Sequence, residues 1–307
     1  MTFKWPLVLV SFLSLLSACS VSKEKKDVAM PAPMPRPSTD LGLKKRIVVL
    51  PFLDGPIALD PQLKERTRKL FIAEANRTQE MVIVDGNEIT NDFSAFVKDG
   101  KYDLEALGKK ADPIGIHALL EGKILNIRLV KTADEVGVFR KMDSKVEVEV
   151  AIRFVAVKNT KPLLETTAKV DSSSESMRVA APVEDDKNVE ASAKIIERLM
   201  GQAFISLIPR ITASMDKLVW EGRVAMVQGE RIFLNVGRLS GLNIGDIIKV
   251  SDDGEDVFDP QTGSEIGKVP GRLKGTLEVI SYFGTDGAIT LIHSGSGFKE
   301  NDRVELY

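Results

Sequence analysis

The chain has one cysteine and two histidines among its 307 residues. A lone cysteine cannot close a disulfide within the chain. His117 and His293 are far apart in sequence and suggest neither a zinc site nor a catalytic pair. Aromatic residues make up only 6%, too few to suggest a lectin-like or base-stacking surface. A formal net charge of −2 provides no basic field for nucleic acid. There is no glycine-rich phosphate loop. Beyond the first residues, no apolar run is long enough for a transmembrane helix. These absences shift the expectation from enzyme to binding or structural protein, with no cofactor, no metal and no catalytic residue.

The amino terminus, by contrast, has a three-part design. Lys4 supplies a positive charge, an apolar run extends from Leu7 to Leu16, and the run ends in Leu16-Ser17-Ala18-Cys19. The run is shorter than the roughly 18–20 residues that cross a bilayer, which fits a removable signal better than an anchor. Leu-Ser-Ala-Cys resembles the bacterial lipobox, in which the thiol is acylated and the chain is cut just before it. That resemblance implies a signal peptide over 1–18 and lipidation at Cys19. Ser20 stands where aspartate would usually mean retention at the inner membrane, so the family rule implies the outer membrane, with the protein facing the periplasm. An ordinary secretory signal with a chance cysteine is the alternative.

Residues 19–44 read as a lipidated terminus and linker. Pro31, Pro33, Pro35 and Pro37 alternate among small and charged residues with almost no large apolar side chains. Such a segment cannot bury enough surface to offset its ordering entropy and favours an extended spacer. About 260 residues remain, enough for two domains of ordinary size.

Over 45–215 the pattern is α/β. Arg46 to Phe52 is an apolar, β-branched run interrupted by Pro51 and reads as a buried strand. Asp60-Pro61 opens a helix with Leu63, Leu70 and Phe71 as its apolar stripe. Met81 to Asp85 is a strand, about Asp103 to Lys110 a helix, and Ile116 to Ile127 a long strand. From Lys145 the alternation places Val146, Val148, Val150 and Ile152 on one face, with Glu147, Glu149 and Arg153 opposite. Lys158 to Lys161 is a turn, Leu163 to Val170 returns as a paired strand, and one helix from about Asn188 to Ile208 closes the unit. A strand ending in Leu-Pro-Phe, then helix, strand and helix, then Ala-Leu-Leu-Glu-Gly-Lys-Ile, resembles the amino-terminal domain of the TolB translocation proteins. It equally resembles the periplasmic domain of the curli-secretion lipoproteins. The resemblance implies a mixed α/β sandwich that docks partners or builds rings. The curli channel inserts two amphipathic hairpins per subunit, and the corresponding stretches are Arg128–Ser144 and Asp171–Lys187. Both are rich in charge or serine and lack the sustained apolar alternation of a lipid-facing strand, so they read as solvated loops or exposed hairpins.

Over 216–307 the rhythm changes to short strands and turns, the pattern of a small all-β barrel. Strands are expected at 218–227, 231–236, 247–250, 273–282, 288–293 and 303–307. The run from Ser294 to Val304 echoes that from Ser240 to Ile248, which suggests a repeated turn-and-strand unit. Asn235-Val236-Gly237, Ser240-Gly241-Leu242, Ile244-Gly245-Asp246 and Asp259-Pro260-Gln261-Thr262-Gly263 before Ile266-Gly267 resemble the C-terminal domain of the flagellar assembly protein T family. That resemblance implies an SH3-like barrel in a ring around the flagellar basal body. The chain departs from the family in its anchor and in lacking room for a separate N-terminal domain. The fold expectation is therefore α+β, a mixed sandwich followed by a barrel.

The densest acidic cluster is Asp252, Asp253, Glu255, Asp256 and Asp259, whose spacing departs from the EF-hand pattern; an acidic hairpin tip is the simpler reading. Glu147 and Glu149 share a strand face, where a solvated surface or a contact with lysine or arginine is simpler than acid–base work. Glu184-Asp185-Asp186 reads as a solvated loop. Only Cys19 is expected to be chemically special. The partners expected are outer-membrane lipid through Cys19 and, beyond it, further copies of the chain or flagellar or secretion machinery. A secretion channel or accessory, or a periplasmic binding module, are the competing readings.

Overall fold

The order of strands follows from which residues can be buried on both faces and which on one. In the computed structural model, residues 42–133, 142–172, 186–269 and 271–307 are described, together with Met1. Apart from Met1 they all belong to one compact unit, Asp40–Tyr307. Cys19 lies outside the described residues, as do most of Asp171–Lys187 and the tip, 134–141, of Arg128–Ser144.

β1 (Lys45–Val49) is an interior strand of a mixed sheet, parallel to β3 (Met81–Val84) on one side and to β6 (Ala118–Ala133) on the other. Its neighbours bury it on both faces, hence the unbroken Ile47-Val48-Val49-Leu50 run. Pro51 ends the strand and β2 (Leu53–Asp54) resumes against β6. Leu50 packs on one side of the sheet and Phe52 on the other, which accounts for Leu-Pro-Phe. β6 continues into an antiparallel meander through β7 (Met142–Ala156) to β8 (Pro162–Asp171). The short pair β4 (Val97–Lys98) and β5 (Lys101–Tyr102) lies apart from this sheet.

One face of the sheet carries α1 (Pro61–Arg77), α3 (Asp186–Ile205) and α4 (Ile208–Met215). Val148, Val150, Ile152 and Phe154 of β7 point into that core, as the alternation demands. Phe52 stacks on Phe204 with ring centroids 4.1 Å apart, and Phe71 meets both edge-on. The other face is covered by α2 (Leu104–Ala111) over β1, β3 and the start of β6. Over the rest of β7 and β8 it bears charge.

The sequence reading needs three corrections in this half. Leu70 is 48% exposed; the buried row of α1 is Thr67, Phe71 and Ala75, spaced by four, and Thr67 is admitted because its hydroxyl donates to the Leu63 carbonyl. The helix expected to end at about Ile208 ends at Ile205, and a second helix, α4, follows it with Pro209 in its first turn, where the ring would clash with a continuing α3. The β6 strand begins at Ala118 and runs to Ala133, past the expected end.

The second half closes into a six-stranded barrel, in the order β10-β15-β14-β11-β16-β9. Its strands are β9 (Gly222–Gln228), β10 (Arg231–Leu234), β11 (Ile247–Ser251), β14 (Leu273–Phe283), β15 (Gly287–Gly295) and β16 (Arg303–Leu306). Residues 218–221, expected to start the first strand, are connector. A separate hairpin, β12 (Glu255–Phe258) with β13 (Glu265–Val269), rises from the acidic stretch. The suspected repeat is physical. Asn243 N donates to Asp246 Oδ2 and Lys299 N to Asp302 Oδ2, each at 2.7 Å. Gly245 and Asn301 occupy the same left-handed position, at φ 90° and 69°. Leu242 and Phe298, one residue ahead of each turn, both enter the barrel core.

Candidate functional site: the seam between sheet and barrel

Many motif residues in the barrel half serve a turn or a close approach. Asp259 Oδ1 accepts from Gln261 N and Thr262 N, closing Asp-Pro-Gln-Thr-Gly on itself. The Ser240 hydroxyl and amide and the Gly237 amide are held by Asp286. The motifs therefore encode local geometry, and the concentration of buried polar chemistry lies elsewhere, where the sheet meets the barrel.

Arg223 of β9 is at the centre of that seam, its side chain only 2% exposed. Its guanidinium lies 3.3 Å from Asp112, which follows α2, and 2.5 Å from Asp253 in the barrel half. Glu221 is 3.9 Å from Arg223, 3.1 Å from Arg303 Nε and 3.4 Å from Lys158. Arg303 also reaches Asp253 at 3.5 Å. Three carboxylates and three cations, drawn from both halves of the chain, thus neutralise one another around the buried Arg223, while Asp112, Asp253 and Lys158 reach the surface. Buried charges persist only when so paired.

Two side chains complete the bridge. Arg46 of β1 donates to the carbonyls of Ile114 and Asn235, at 3.1 and 3.2 Å, and approaches Glu88 at 3.5 Å. Asn235 faces both ways: its amide nitrogen donates to Ile114 O, and its amide oxygen accepts from Arg223 N. This is the asparagine of Asn-Val-Gly, and its place in that motif was the signal that could have found it.

His117, just before β6, is buried between Arg46 N on Nδ1 and Glu221 N on Nε2, both at 3.0 Å. A neutral imidazole has one acceptor nitrogen and a protonated one has none, so the neutral ring accepts from one of these two main-chain donors at a time and the charged ring from neither, which favours the neutral form. Burial pushes its pKa down to about 4, opposed by the nearby Glu221 carboxylate. The reading of His117 as a strand residue is corrected here; it is a seam residue.

The chain leading from the amino terminus is also held at this boundary. Leu43 packs on the barrel core and Lys44 N donates to Ser240 O at 3.0 Å. Gly241 adopts φ 92°, and a side chain there would approach Gly42 O to 3.1 Å. Residues 42–44, read as the end of the linker, are thus part of the folded body.

The remaining candidates are dispersed. His293 is exposed on β15, its Nδ1 3.1 Å from the Thr276 hydroxyl. Asp252 caps a turn through Gly254 N and Arg272 N, and Asp253 serves the seam, so the acidic stretch is not one cluster. Among the described residues no group of histidine, cysteine and carboxylates is arranged to hold a metal ion. Glu147 sits on the open face between Lys145 at 3.8 Å and Lys169 at 2.8 Å. The hydrogen bond from Lys169 lowers its pKa. Glu184 and Asp185 lie outside the described residues.

No family model matches the chain, and no curated protein matches it. Solved structures do. The hypothetical protein CT253 from Chlamydia trachomatis is 9% identical with a TM-score of 0.38, over 56% of this chain and 97% of that one. The lipoprotein GNA1162 from Neisseria meningitidis is 13% identical with a TM-score of 0.29, over 52% of this chain and 99% of that one. The LpoB C-terminal domain from Salmonella enterica is 11% identical with a TM-score of 0.29, over 42% of this chain and 85% of that one.

Proposed function

We propose that the chain is an outer-membrane lipoprotein, anchored through acylated Cys19 and facing the periplasm. On this reading it is a non-enzymatic assembly subunit of an envelope complex, in the manner of a ring around the flagellar basal body. The observation that carries the reading is the seating of residues 42–44. Leu43 is packed on the barrel and Lys44 is hydrogen-bonded to Ser240 immediately before the chain enters the interior strand β1. A pull on the linker would be shared between both halves of the body, which suits a tethered structural part. The leader ending in Cys19 supports the anchor, and the mutual neutralisation of the seam charges supports a scaffold over an enzyme.

The reading is tested by labelling cells with a radioactive fatty acid and fractionating their membranes. The full chain is expected to carry the label and to sediment with outer membrane, while Cys19→Ser is expected to lose both. For the flagellar role, a deletion strain should swim poorly and show altered basal bodies in electron tomograms. Normal swimming with unchanged basal bodies would remove that role and leave the anchor standing.

One observation favours the secretion-channel alternative. β6 and β7 remain paired as far as Ala133 and Met142, whereas β8 ends at Asp171 opposite Glu147. A two-stranded ribbon therefore extends beyond the sheet. A detergent belt around a strand barrel in electron micrographs of the extracted protein would decide for that alternative.

A further inference from the structure

The sheet ends in β8, a strand of ten residues with no strand on its outer side among the described residues. An open edge of that length presents a row of main-chain donors and acceptors to which another strand can be added. The helices α3 and α4 pack against one face of the sheet and leave this edge uncovered by strand.

A cleft of about 290 Å³ opens where β8 begins. Its walls include Leu163, Leu218 and Val219, and Val219 is 71% exposed. Lys158, Lys161 and Lys217 line it, against the single carboxylate of Glu221. Glu221 is already drawn inward by Arg303 and Arg223, so the cleft keeps an excess of positive charge beside an exposed apolar wall. Among the described residues, Lys217 Nζ has the Leu163 carbonyl, at 3.3 Å, as its partner.

We propose that the outer edge of β8 and the lysine cleft at its start together bind an extended peptide ending in a free carboxylate and an apolar side chain. The polarity of the strands sets the order of contacts. A peptide added antiparallel to β8 runs from Asp171 towards Pro162, so its C-terminus arrives at the cleft. Pro162 lacks an N–H, and it stands at the end of the edge, where the incoming main chain stops and the carboxylate begins. That carboxylate meets Lys161 and Lys217, and Lys217 exchanges a carbonyl for a charged acceptor, the stronger kind of bond. The last side chain lies on Leu163, Leu218 and Val219. Nothing in this depends on Cys19 or on the membrane, so it stands or falls apart from the envelope assignment.

The test uses the purified full chain and a rhodamine-labelled hexapeptide, Thr-Val-Thr-Ile-Thr-Val, followed by fluorescence anisotropy. Saturable binding is expected for the free acid. Amidation of the C-terminus should weaken it by about tenfold or more. N-methylation of alternate residues should abolish it, by removing the donors that pair with the edge. The variant Lys161→Glu/Lys217→Glu should bind as poorly as the amide does to the parent, and Lys161→Arg/Lys217→Arg should bind as the parent. Both lysines are exposed, so an unchanged melting temperature is expected in each variant. Equal affinity for acid and amide, undiminished binding of the N-methylated peptide, or no saturable binding up to millimolar peptide would each overturn the proposal.

Discussion

Two sets of ion pairs in this chain use the same carboxylates, aspartate and glutamate, with lysine in one and arginine in the other, and differ in where they lie. On the open face of β7 and β8, Lys145 pairs with Asp171 at 2.8 Å and Lys169 with Glu147 at 2.8 Å. In the seam, Arg223 pairs with Asp253 at 2.5 Å and Arg303 with Glu221 at 3.1 Å. The distances are similar and the surroundings are not. Lys169 is 56% exposed in its side chain and Arg223 is 2% exposed. Water screens the first pair and would solvate either partner if the other were lost. In the second it reaches Asp253, 32% exposed, but not the Arg223 guanidinium. A short distance therefore tells little about what a pair contributes, and burial decides it.

The comparison is broken most severely at Arg223. Its replacement by alanine leaves Asp112, Asp253 and Glu221 facing one another around a cavity, and should cost about 3–5 kcal/mol of unfolding free energy. Denaturant titration measures this, and a cost near zero would show that the seam charges are solvated after all. The next effect is a pH dependence centred on His117. Its folded pKa of about 4 lies below the ordinary histidine value of 6.5, so the unfolded chain binds the proton more readily. The stabilisation is fully present above pH 6.5 and is lost as pH falls towards 4. The total change is at most about 3 kcal/mol, given about 1.4 kcal/mol for each unit. In His117→Gln this slope should vanish, so the difference between variant and parent from pH 6.5 to 4 isolates it from the carboxylates. Equal slopes would place the proton elsewhere.

Smaller again is Asn235→Ala, which removes the side-chain bonds to Ile114 O and Arg223 N. About 1–2 kcal/mol is expected, the range for leaving such groups unsatisfied. A cost as large as that of Arg223→Ala would make hydrogen bonds rather than charges the main tie. The least effect belongs to the open face. Lys169→Ala should leave the melting temperature unchanged within error, and added salt should erase any residue of an effect. A clear destabilisation there would contradict the contrast between the two sets.

How much of this was legible follows the same division between local and distant. Alternation from Val146 to Arg153 identified both faces of β7, because a half-buried strand writes its burial into every second residue. Asp60-Pro61 and Asp103 marked helix starts that the structure places at α1 and α2, each capped by that aspartate. The echo between 240–248 and 294–304 was visible because a turn needs particular residues at fixed offsets. Leu70 misled, since it is apolar at a position where Thr67 takes the buried place. The expected end near Ile208 lay close to that of α3, and the separate helix α4, with Pro209 in its first turn, was not foreseen.

The seam itself was not legible. Arg46, Asp112, Glu221 and Arg223 are ordinary surface types by composition, and apart from the neighbours Glu221 and Arg223 they lie far from one another in sequence. Nothing local distinguishes Arg223 from Arg231, although one is buried and the other exposed. His117 was noticed and set aside as isolated, which is true of its sequence neighbours and untrue of its surroundings. The linker boundary erred by three residues for the same reason. Leu43 gains its burial from a barrel that lies almost two hundred residues further along the chain, about the scale at which only tertiary packing speaks.

On the proposed reading a lipid-anchored chain assembles in the envelope, and native mass spectrometry of the full protein extracted from membranes in mild detergent tests this in one spectrum. The account predicts a subunit beginning at Cys19, heavier than its amino-acid sequence by the attached acyl groups, and a complex of several such subunits. An unmodified chain that retains residues 1–18 and remains a monomer at all concentrations would contradict both the anchor and the assembly.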